Sequence, residues 1–237
     1  MTEHNERLNL LMKISFYFFP INLSLLLILL SACTENKKKL QPLPRSCESV
    51  CHIEKRESAV DTIVDSSYSI EEAVAGSNAP QKIIDQLELS DVTYLSTDGK
   101  IHRGQILSNR IIAADLRHLF EYMLNEGFVI EKAIPIVKYN WNDSLSMDDN
   151  NTYSFCYRDI SYSKHASGMA IDINPRFNPL RWKDPNLPNQ PQGAVQDTTV
   201  NGTLHPGHPV VKEFAKLGFR WGHTFTKFYD DHHFEKR

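Results

Sequence analysis

Two short segments hold most of the side chains in this sequence that could do chemistry together. Residues 163–172 include His165 and Asp172, and residues 230–235 contain carboxylates around a pair of histidines. Histidine nitrogen and carboxylate oxygen are ordinary zinc ligands, and a catalytic zinc takes three protein ligands and keeps a fourth position for water. The two segments therefore predict a metal site assembled from distant parts of the chain.

The spacing within each segment indicates how these side chains could meet. His165 precedes a glycine turn and Asp172 lies on the apolar strand pattern after it, so the turn and strand can aim both at one point. A carboxylate in an apolar strand costs several kcal/mol unless it is paired or binds a metal. The C-terminal pair, His232 and His233, is the obvious donor of a third ligand. Asp230 stands three residues before His233, where a tight turn would place a general base beside the metal.

A plainer interpretation exists for each histidine taken alone. A single histidine is more often a surface or core residue than a ligand, and the spacing by itself leaves that alternative open for the whole set. Three other histidines, His205, His208 and His223, are interpreted in this way.

Periodicity and turn signals predict the elements that must position these residues. Residues 92–96 and 101–107 predict a β-hairpin around an Asp-Gly turn. Residues 110–126 predict a helix, because apolar residues recur at helical spacing between the capping residue Asn109 and Gly127. Strands are predicted at 133–139, 153–157 and 168–173, a helix at 209–216, a surface excursion at 174–202 and an Asx-rich loop at 143–151, and residues 219–221 and 230–235 close the chain. This order predicts an α+β fold, a single compact domain with one antiparallel sheet and helices to one side.

Composition and charge exclude several classes of protein. The 237 residues include 26 Lys and Arg against 29 Asp and Glu, a formal net charge of -3. The chain therefore lacks the excess of positive charge that is typical of nucleic-acid-binding proteins. The mean hydropathy of -0.39 excludes a protein that spans the membrane many times. We expect a monomer that binds no nucleic acid.

The N-terminal segment predicts a targeting signal rather than part of the fold. An apolar run at 14–30 ends in Leu-Ser-Ala-Cys, which resembles the bacterial lipobox, so we expect a signal peptide over 1–33 and a lipid on Cys33. The alternative is a membrane-spanning anchor, which the Pro and Asn within the run disfavour. A polar tether at 34–70 and a domain at 71–237 would follow. This places the protein in the cell envelope, on the periplasmic side or the cell surface.

Three further cysteines, Cys47, Cys51 and Cys156, allow at most one disulfide. A Cys47–Cys51 bridge fits an exported protein, whereas a metal site there would have only His52 as a further ligand.

The motifs around the two reactive segments resemble one known family. Ser163-x-His165-x-x-Gly168-x-Ala170-x-Asp172, Trp221-Gly222 and Asp230-x-x-His233-Phe234-Glu235 look like the VanY-like family of zinc D-alanyl-D-alanine carboxypeptidases, which includes L-alanyl-D-glutamate endopeptidases. The resemblance extends upstream to about residue 92. It implies a hedgehog-like and DD-peptidase-like fold.

The resemblance also implies roles for individual residues. Zinc would be held by His165, Asp172 and His233, with Asp230 as catalytic base and His232 as the alternative third ligand. Arg158 would anchor the substrate or stabilise the developing oxyanion. Ser163, Arg158 and Trp221 would contact the substrate, a stem peptide of peptidoglycan cut at its D-Ala-D-Ala or its L-Ala-D-Glu bond.

Two departures and one alternative function accompany the resemblance. Six residues separate Arg158 from His165, fewer than the family suggests, and His223 stands where the family has a second glycine after Trp-Gly. We interpret His223 as a turn residue. The alternative function is a non-catalytic wall-binding lipoprotein on the same zinc scaffold, as in the hedgehog signalling domain; retention of Asp230 argues against it.

Overall fold

The computed structural model of the protein describes residues 61–160 and 162–236. The predicted signal peptide, the lipid on Cys33 and the pairing of Cys47 with Cys51 lie outside these residues and stay predictions. The predicted domain boundary at residue 71 is too late, because strand β1 (Ile63–Val64) already pairs with a strand of the domain. In the described ranges, no helix is both long enough and apolar enough to cross a membrane.

Helices and short strands alternate along the described chain, which confirms the α+β class. The α-helices are α1 (Ile70–Val74), α2 (Gln81–Ile84), α3 (Arg110–Asn125), α4 (Asp143–Asp148) and α5 (Pro209–Lys216). The remaining strands are β2 (Leu87–Leu95), β3 (Ile101–Asn109), β4 (Lys132–Ala133), β5 (Asn151–Thr152), β6 (Ala170–Asp172), β7 (Leu180–Trp182), β8 (Phe219–Trp221), β9 (Phe228–Asp230) and β10 (His233–Lys236).

The predicted hairpin and the long helix form the first half of the core. Strands β2 and β3 pair antiparallel in a hairpin that extends beyond both predicted ends, and β1 joins β3 on its other side. Helix α3 begins where predicted, because the side chain of Asn109 accepts a hydrogen bond from the amide of Ile111. Its apolar stripe, including Leu116 and Met123, is buried in the same cluster as Tyr94 and Ile106 of the hairpin.

The second sheet, in the order β6-β10-β8, carries the C-terminal histidines. Its register places His233 opposite Asp172, and Phe234 between Ile171 and Trp221. Successive side chains of a strand point to opposite faces. The Phe234 row therefore faces the core, where it packs with α5, while His233 and Asp172 share the other face.

Several local predictions differ from the observed elements. The strand predicted at 133–139 ends at Ala133, because Pro135 has no amide hydrogen for a ladder, and a 3₁₀ turn follows at Ile136–Tyr139. Within 153–157, only Tyr153 makes a strand-like bridge. The loop expected at 143–151 contains α4, which the side chain of Asn142 caps.

The strands of the described residues also fall into four small sheets rather than the single sheet expected. Two of these sheets have three strands and two have only two, and parallel and antiparallel pairs both occur.

Candidate functional site

Three elements bring the predicted ligands together. His165 lies in a 3₁₀ turn, Lys164–Ser167, that ends at Gly168 in the left-handed conformation, with φ of 67°. Asp172 ends β6 and His233 begins β10, so sheet pairing sets these two side by side. A Cβ on Gly168 would lie 2.6 Å from the backbone nitrogen of Asn109, so the glycine lets the turn approach the start of α3.

The ligand atoms form a nearly equilateral triangle. His165 Nε2 lies 3.1 Å from Asp172 Oδ1 and 3.0 Å from His233 Nδ1, and His233 Nδ1 lies 3.0 Å from Asp172 Oδ1. All three residues are buried. Within the part of the chain that the structure describes, this is the group of histidine and carboxylate side chains arranged to hold a metal ion.

Each ligand histidine has an inner nitrogen in the triangle and an outer nitrogen that faces another partner. The partner of the outer nitrogen decides whether the inner nitrogen carries a proton or a free lone pair. His165 Nδ1 donates to the carbonyl of Ser154 at 2.6 Å, and His233 Nε2 faces a carboxylate oxygen of Glu235 at 3.3 Å. Both partners can only accept, so a neutral ring keeps its proton on the outer nitrogen. Each inner nitrogen then points a lone pair at the oxygen of Asp172. Three acceptors at this distance fit a divalent metal ion that they would share.

The pKa shifts at the site also favour positive charge beside Asp172. Burial by itself raises the pKa of the Asp172 carboxyl, but the charges of His165 and His232 and two histidine hydrogen bonds hold it well below its usual range. Burial by itself lowers the pKa of His233, but hydrogen bonds with Asp172 and Glu235 raise it to about 10. Protons on the histidines or a bound cation would satisfy this demand.

Asp230 lies at the end of β9 and lines the same cleft as the three ligands. Its Oδ1 is 2.9 Å from His232 Nε2. The carboxylate thus faces His232 and lines the cleft beside the ligand triangle, so it is suited to exchange a proton with a molecule bound there.

His232 is not part of the ligand triangle. Its Nδ1 donates to the carbonyl of Asn178 at 2.8 Å, and its Nε2 is 3.9 Å from the outer oxygen of Asp172. Burial by itself lowers its pKa, but the charges of Asp230 and Asp172 raise it to about 9. The geometry thus favours His233 over His232 as third ligand.

A chain of contacts ties Arg158 to the ligand His165. Arg158 forms an ion pair with Asp143 at 3.0 Å, and Asp143 also accepts a hydrogen bond from the hydroxyl of Tyr153. The ring of Tyr153 stacks on that of His165, with 5.4 Å between centroids. The guanidinium is therefore fixed at the edge of the cleft.

Two of the three residues with a predicted substrate contact line the cleft. The cleft has a volume of about 430 Å³, and Ser163 and Arg158 line it. Trp221 does not, because its register opposite Phe234 turns its side chain into the core, where its indole nitrogen donates to the carbonyl of Asp231. The expectation that Trp221 contacts substrate is therefore corrected.

Asp231, the neighbour of the proposed base, is fully buried. Its carboxylate accepts from Arg181 Nε at 2.7 Å and lies 2.6 Å from His223 Nδ1. His223 lies in a 3₁₀ turn, Gly222–Thr224, as its interpretation as a turn residue implied, and stacks on Trp221. The contacts of Asp231 with Arg181 and His223 thus fix the turn between β9 and β10.

Sequence reasoning gave no role to three residues that orient the site. Glu235 stands two residues from His233, and strand alternation could have placed them on one face. Asp143 and Tyr153 meet only through tertiary contacts, for which the sequence carries no local signal. Cys156 is a free and buried cysteine whose pKa burial raises to about 11.

Comparison with known proteins points to one family. A family model described as D-alanyl-D-alanine carboxypeptidase matches residues 158–236, a range that includes the ligand triangle, Asp230 and Arg158. Neither the curated proteins nor the solved structures gave a match.

Proposed function

Residues 158–236 belong to the VanY-like family of D-alanyl-D-alanine carboxypeptidases, and from this we propose that the chain is a zinc-dependent peptidase of peptidoglycan stem peptides. The family match supports the general activity, a hydrolase that acts on cell-wall peptides. The zinc dependence and the residue roles are the finer part of the proposal.

One observation carries the zinc dependence. The inner nitrogens of His165 and His233 and an oxygen of Asp172 lie within 3.1 Å of one another, while the outer nitrogens are held by Ser154 and Glu235. Two imidazoles and a carboxylate are the ligand set of many catalytic zinc sites, which leave one position open. When bound, zinc supplies a Lewis acid that polarises a carbonyl and lowers the pKa of water toward about 7.

Asp230 is the proposed general base. Its carboxylate lines the cleft beside the metal ligands, so it can take the proton from the attacking water and later give it to the leaving amine. His232, held by the carbonyl of Asn178, keeps a positive ring edge against this carboxylate. That contact limits the rotation of Asp230 while the proton is transferred.

Arg158 is the proposed cation for the negative charge that develops on the substrate. Its ion pair with Asp143 fixes the guanidinium before substrate arrives, and it lines the cleft together with the metal ligands. A preorganised donor of this kind stabilises the transition state without reorganising during the reaction. Ser163, at the entrance of the 3₁₀ turn that carries His165, is a proposed substrate contact.

The lipid on Cys33 is also part of the proposal. An anchor at the membrane would hold the peptidase beside the wall, in the cell envelope, and a polar tether would give it reach.

The experiment that tests this function is digestion of purified peptidoglycan. The protein should release defined peptide fragments, detected by mass spectrometry, and a chelator should stop the release until zinc is restored. His165→Ala should be inactive, whereas His205→Ala, a histidine outside the ligand triangle, should match the wild type. Binding of the zinc-loaded protein to peptidoglycan without any release would contradict the proposal and indicate a binding protein.

A further inference from the structure

The cleft face of the second sheet continues beyond the metal ligands. Glu235 follows His233 by two residues on β10, and Arg220 of β8 is its direct register partner. Side chains two residues apart on a strand, and directly paired side chains, share a face. Arg220 therefore stands one row from the ligand His233, about 7 Å along the strand.

Arg220 is held in orientation while its hydrogen-bond donors stay largely available. The closest carboxylate contact joins its Nη1 to Glu235 Oε1 at 3.5 Å, which is long for a hydrogen bond. Its guanidinium carbon lies 4.5 Å from the ring centroid of Phe225, and that ring lies 5.8 Å from the ring of His233. The side chain is 38% exposed and lines the cleft.

Arg158 differs from Arg220 in this respect. It pairs with Asp143 at 3.0 Å, whereas the contact of Arg220 with Glu235 is half an ångström longer and the same Glu235 is also engaged by His233. A carboxylate therefore engages Arg220 less closely than Asp143 engages Arg158.

A second cation adds charge at the same end of the cleft. Lys164 immediately precedes His165 and lines the cleft with Arg220. Glu235 lines the cleft with both cations, and its Oε2 faces His233 Nε2 at 3.3 Å. Arg220 and Lys164 therefore present two positive charges beside a single carboxylate that His233 also engages.

We infer that Arg220, with Lys164, binds the free carboxylate of the substrate residue that follows the scissile bond. This deepens the proposed function and rests on it. A terminal D-Ala has a free carboxylate, and a D-Glu joined through its γ-carboxyl keeps a free α-carboxylate, so the inference holds for either candidate bond. A guanidinium fork matches a carboxylate with two parallel hydrogen bonds.

The competing explanation is that Arg220 only steadies Glu235 and, through it, His233. Such a structural role would affect every substrate to the same extent and would change zinc binding. A carboxylate-binding role would instead change the preference between substrates that differ only in that carboxylate.

The test uses the zinc-loaded chain and the stem peptide L-Ala-γ-D-Glu-L-Lys-D-Ala-D-Ala. Two amidated forms accompany it, one with a C-terminal amide and one with D-isoglutamine, so that one of them neutralises the carboxylate after whichever bond is cut. For the wild type, that amidation should lower kcat/KM by about 10- to 100-fold, the range for a charge-assisted hydrogen bond. The amidation at the other position should change it little.

Variants then assign the preference to a residue. Arg220→Gln should lower kcat/KM for the free carboxylate by about 10- to 100-fold and leave the amide unchanged, with wild-type zinc content. Arg220→Lys should keep part of the preference. Arg117→Gln, an arginine that pairs with Glu88 away from the cleft, should behave as the wild type.

The outcomes distinguish carboxylate binding by Arg220 from the proposed peptidase function on which it rests. Hydrolysis without any preference for the carboxylate in the wild type would overturn the inference whatever the variants do. An unchanged preference in Arg220→Gln, or an equal loss on both substrates, would overturn it too. Failure of the zinc-loaded wild type to cut any of the three peptides would instead overturn the proposed function.

Discussion

The side chains of the candidate site are oriented by partners that need take no part in the chemistry. Ser154 and Glu235 hold the outer nitrogens of the two ligand histidines, and Asn178 holds His232. Such outer contacts fix the tautomer and the ring plane of a metal ligand, so they matter to affinity almost as much as the ligands. Substitutions that disturb these outer contacts should therefore alter the site itself.

Gly222 is the residue where the least added volume should do the most damage. A Cβ there would lie 2.7 Å from the Cβ of Asp230 and 3.2 Å from that of His233. We expect Gly222→Ala to lower turnover by more than about 10-fold, because overpacking of roughly 1–3 kcal/mol must displace the base or the ligand. In a peptide-hydrolysis assay Gly193→Ala serves as control for backbone strain without a clash, since its φ is 76° and an added Cβ meets no atom within 4 Å. Turnover of Gly222→Ala near that of the wild type would contradict the tight packing.

Asp231 should matter for stability rather than for proton transfer. Its buried carboxylate accepts from Arg181 and faces His223, so Asp231→Asn should lower the free energy of unfolding by roughly 1–3 kcal/mol, toward the low end because Arg181 is partly exposed. Chemical denaturation measures the change, with the exposed Asp184→Asn as control. Equal stability of the two variants would show that the buried carboxylate contributes nothing.

Chemistry-bearing residues were easier to predict than the direction in which they point. His165, Asp172 and His233 could be named because their motifs specify residue types at fixed spacing, and the structure brings them together. Trp221 was misplaced because the register of β8 decides which of its side chains face the cleft. That register depends on contacts far apart in the chain.

At the scale of elements, the start of α3 connects the hairpin to the turn that carries His165. Asn109 Oδ1 accepts from the amide of Ile111 at 3.1 Å, and its Nδ2 donates to the carbonyl of Ser167 at 3.2 Å. Its backbone nitrogen donates to the carbonyl of Gly168. One residue therefore caps a helix and fixes the turn.

Substitutions at Asn109 can separate these two tasks. Asn109→Ala should cost about 1–2 kcal/mol of unfolding free energy, the usual loss for a helix cap, and weaken zinc retention. Asn109→Asp keeps the capping oxygen but not the donor to Ser167, so it should recover most of the stability and less of the zinc retention. Denaturant unfolding and metal analysis check both, and equal zinc retention in the two variants and the wild type would contradict the link.

Elements with strong local signals were predictable. The predicted helix at 209–216 coincides with α5, because Pro209 stands at its first turn and an apolar stripe follows. Short strands were not, since pieces of two to four residues have no periodicity of their own. The division into four sheets follows from tertiary pairing, such as that of β7 with β9, which no local pattern predicts.

At the scale of the whole molecule, the N-terminal prediction concerns residues outside the described structure. Leu-Ser-Ala-Cys at 30–33 predicts that Cys33→Ser leaves the protein unprocessed or soluble. Membrane fractionation and the mass of the mature chain measure this outcome. A Ser variant that is still processed and still membrane-bound would contradict the lipid anchor.

Zinc held by His165, Asp172 and His233 is proposed to work with Asp230 in the hydrolysis of a peptide. The most direct test measures zinc content and peptide turnover together in wild type, His233→Ala and Asp230→Asn. We predict about one zinc in the wild type and in Asp230→Asn, little zinc and no turnover in His233→Ala, and turnover of Asp230→Asn at least about 100-fold below the wild type. Asp230→Asn with more than about a tenth of wild-type turnover would show that Asp230 is not the base, and His233→Ala with full zinc would show that His233 is not a ligand.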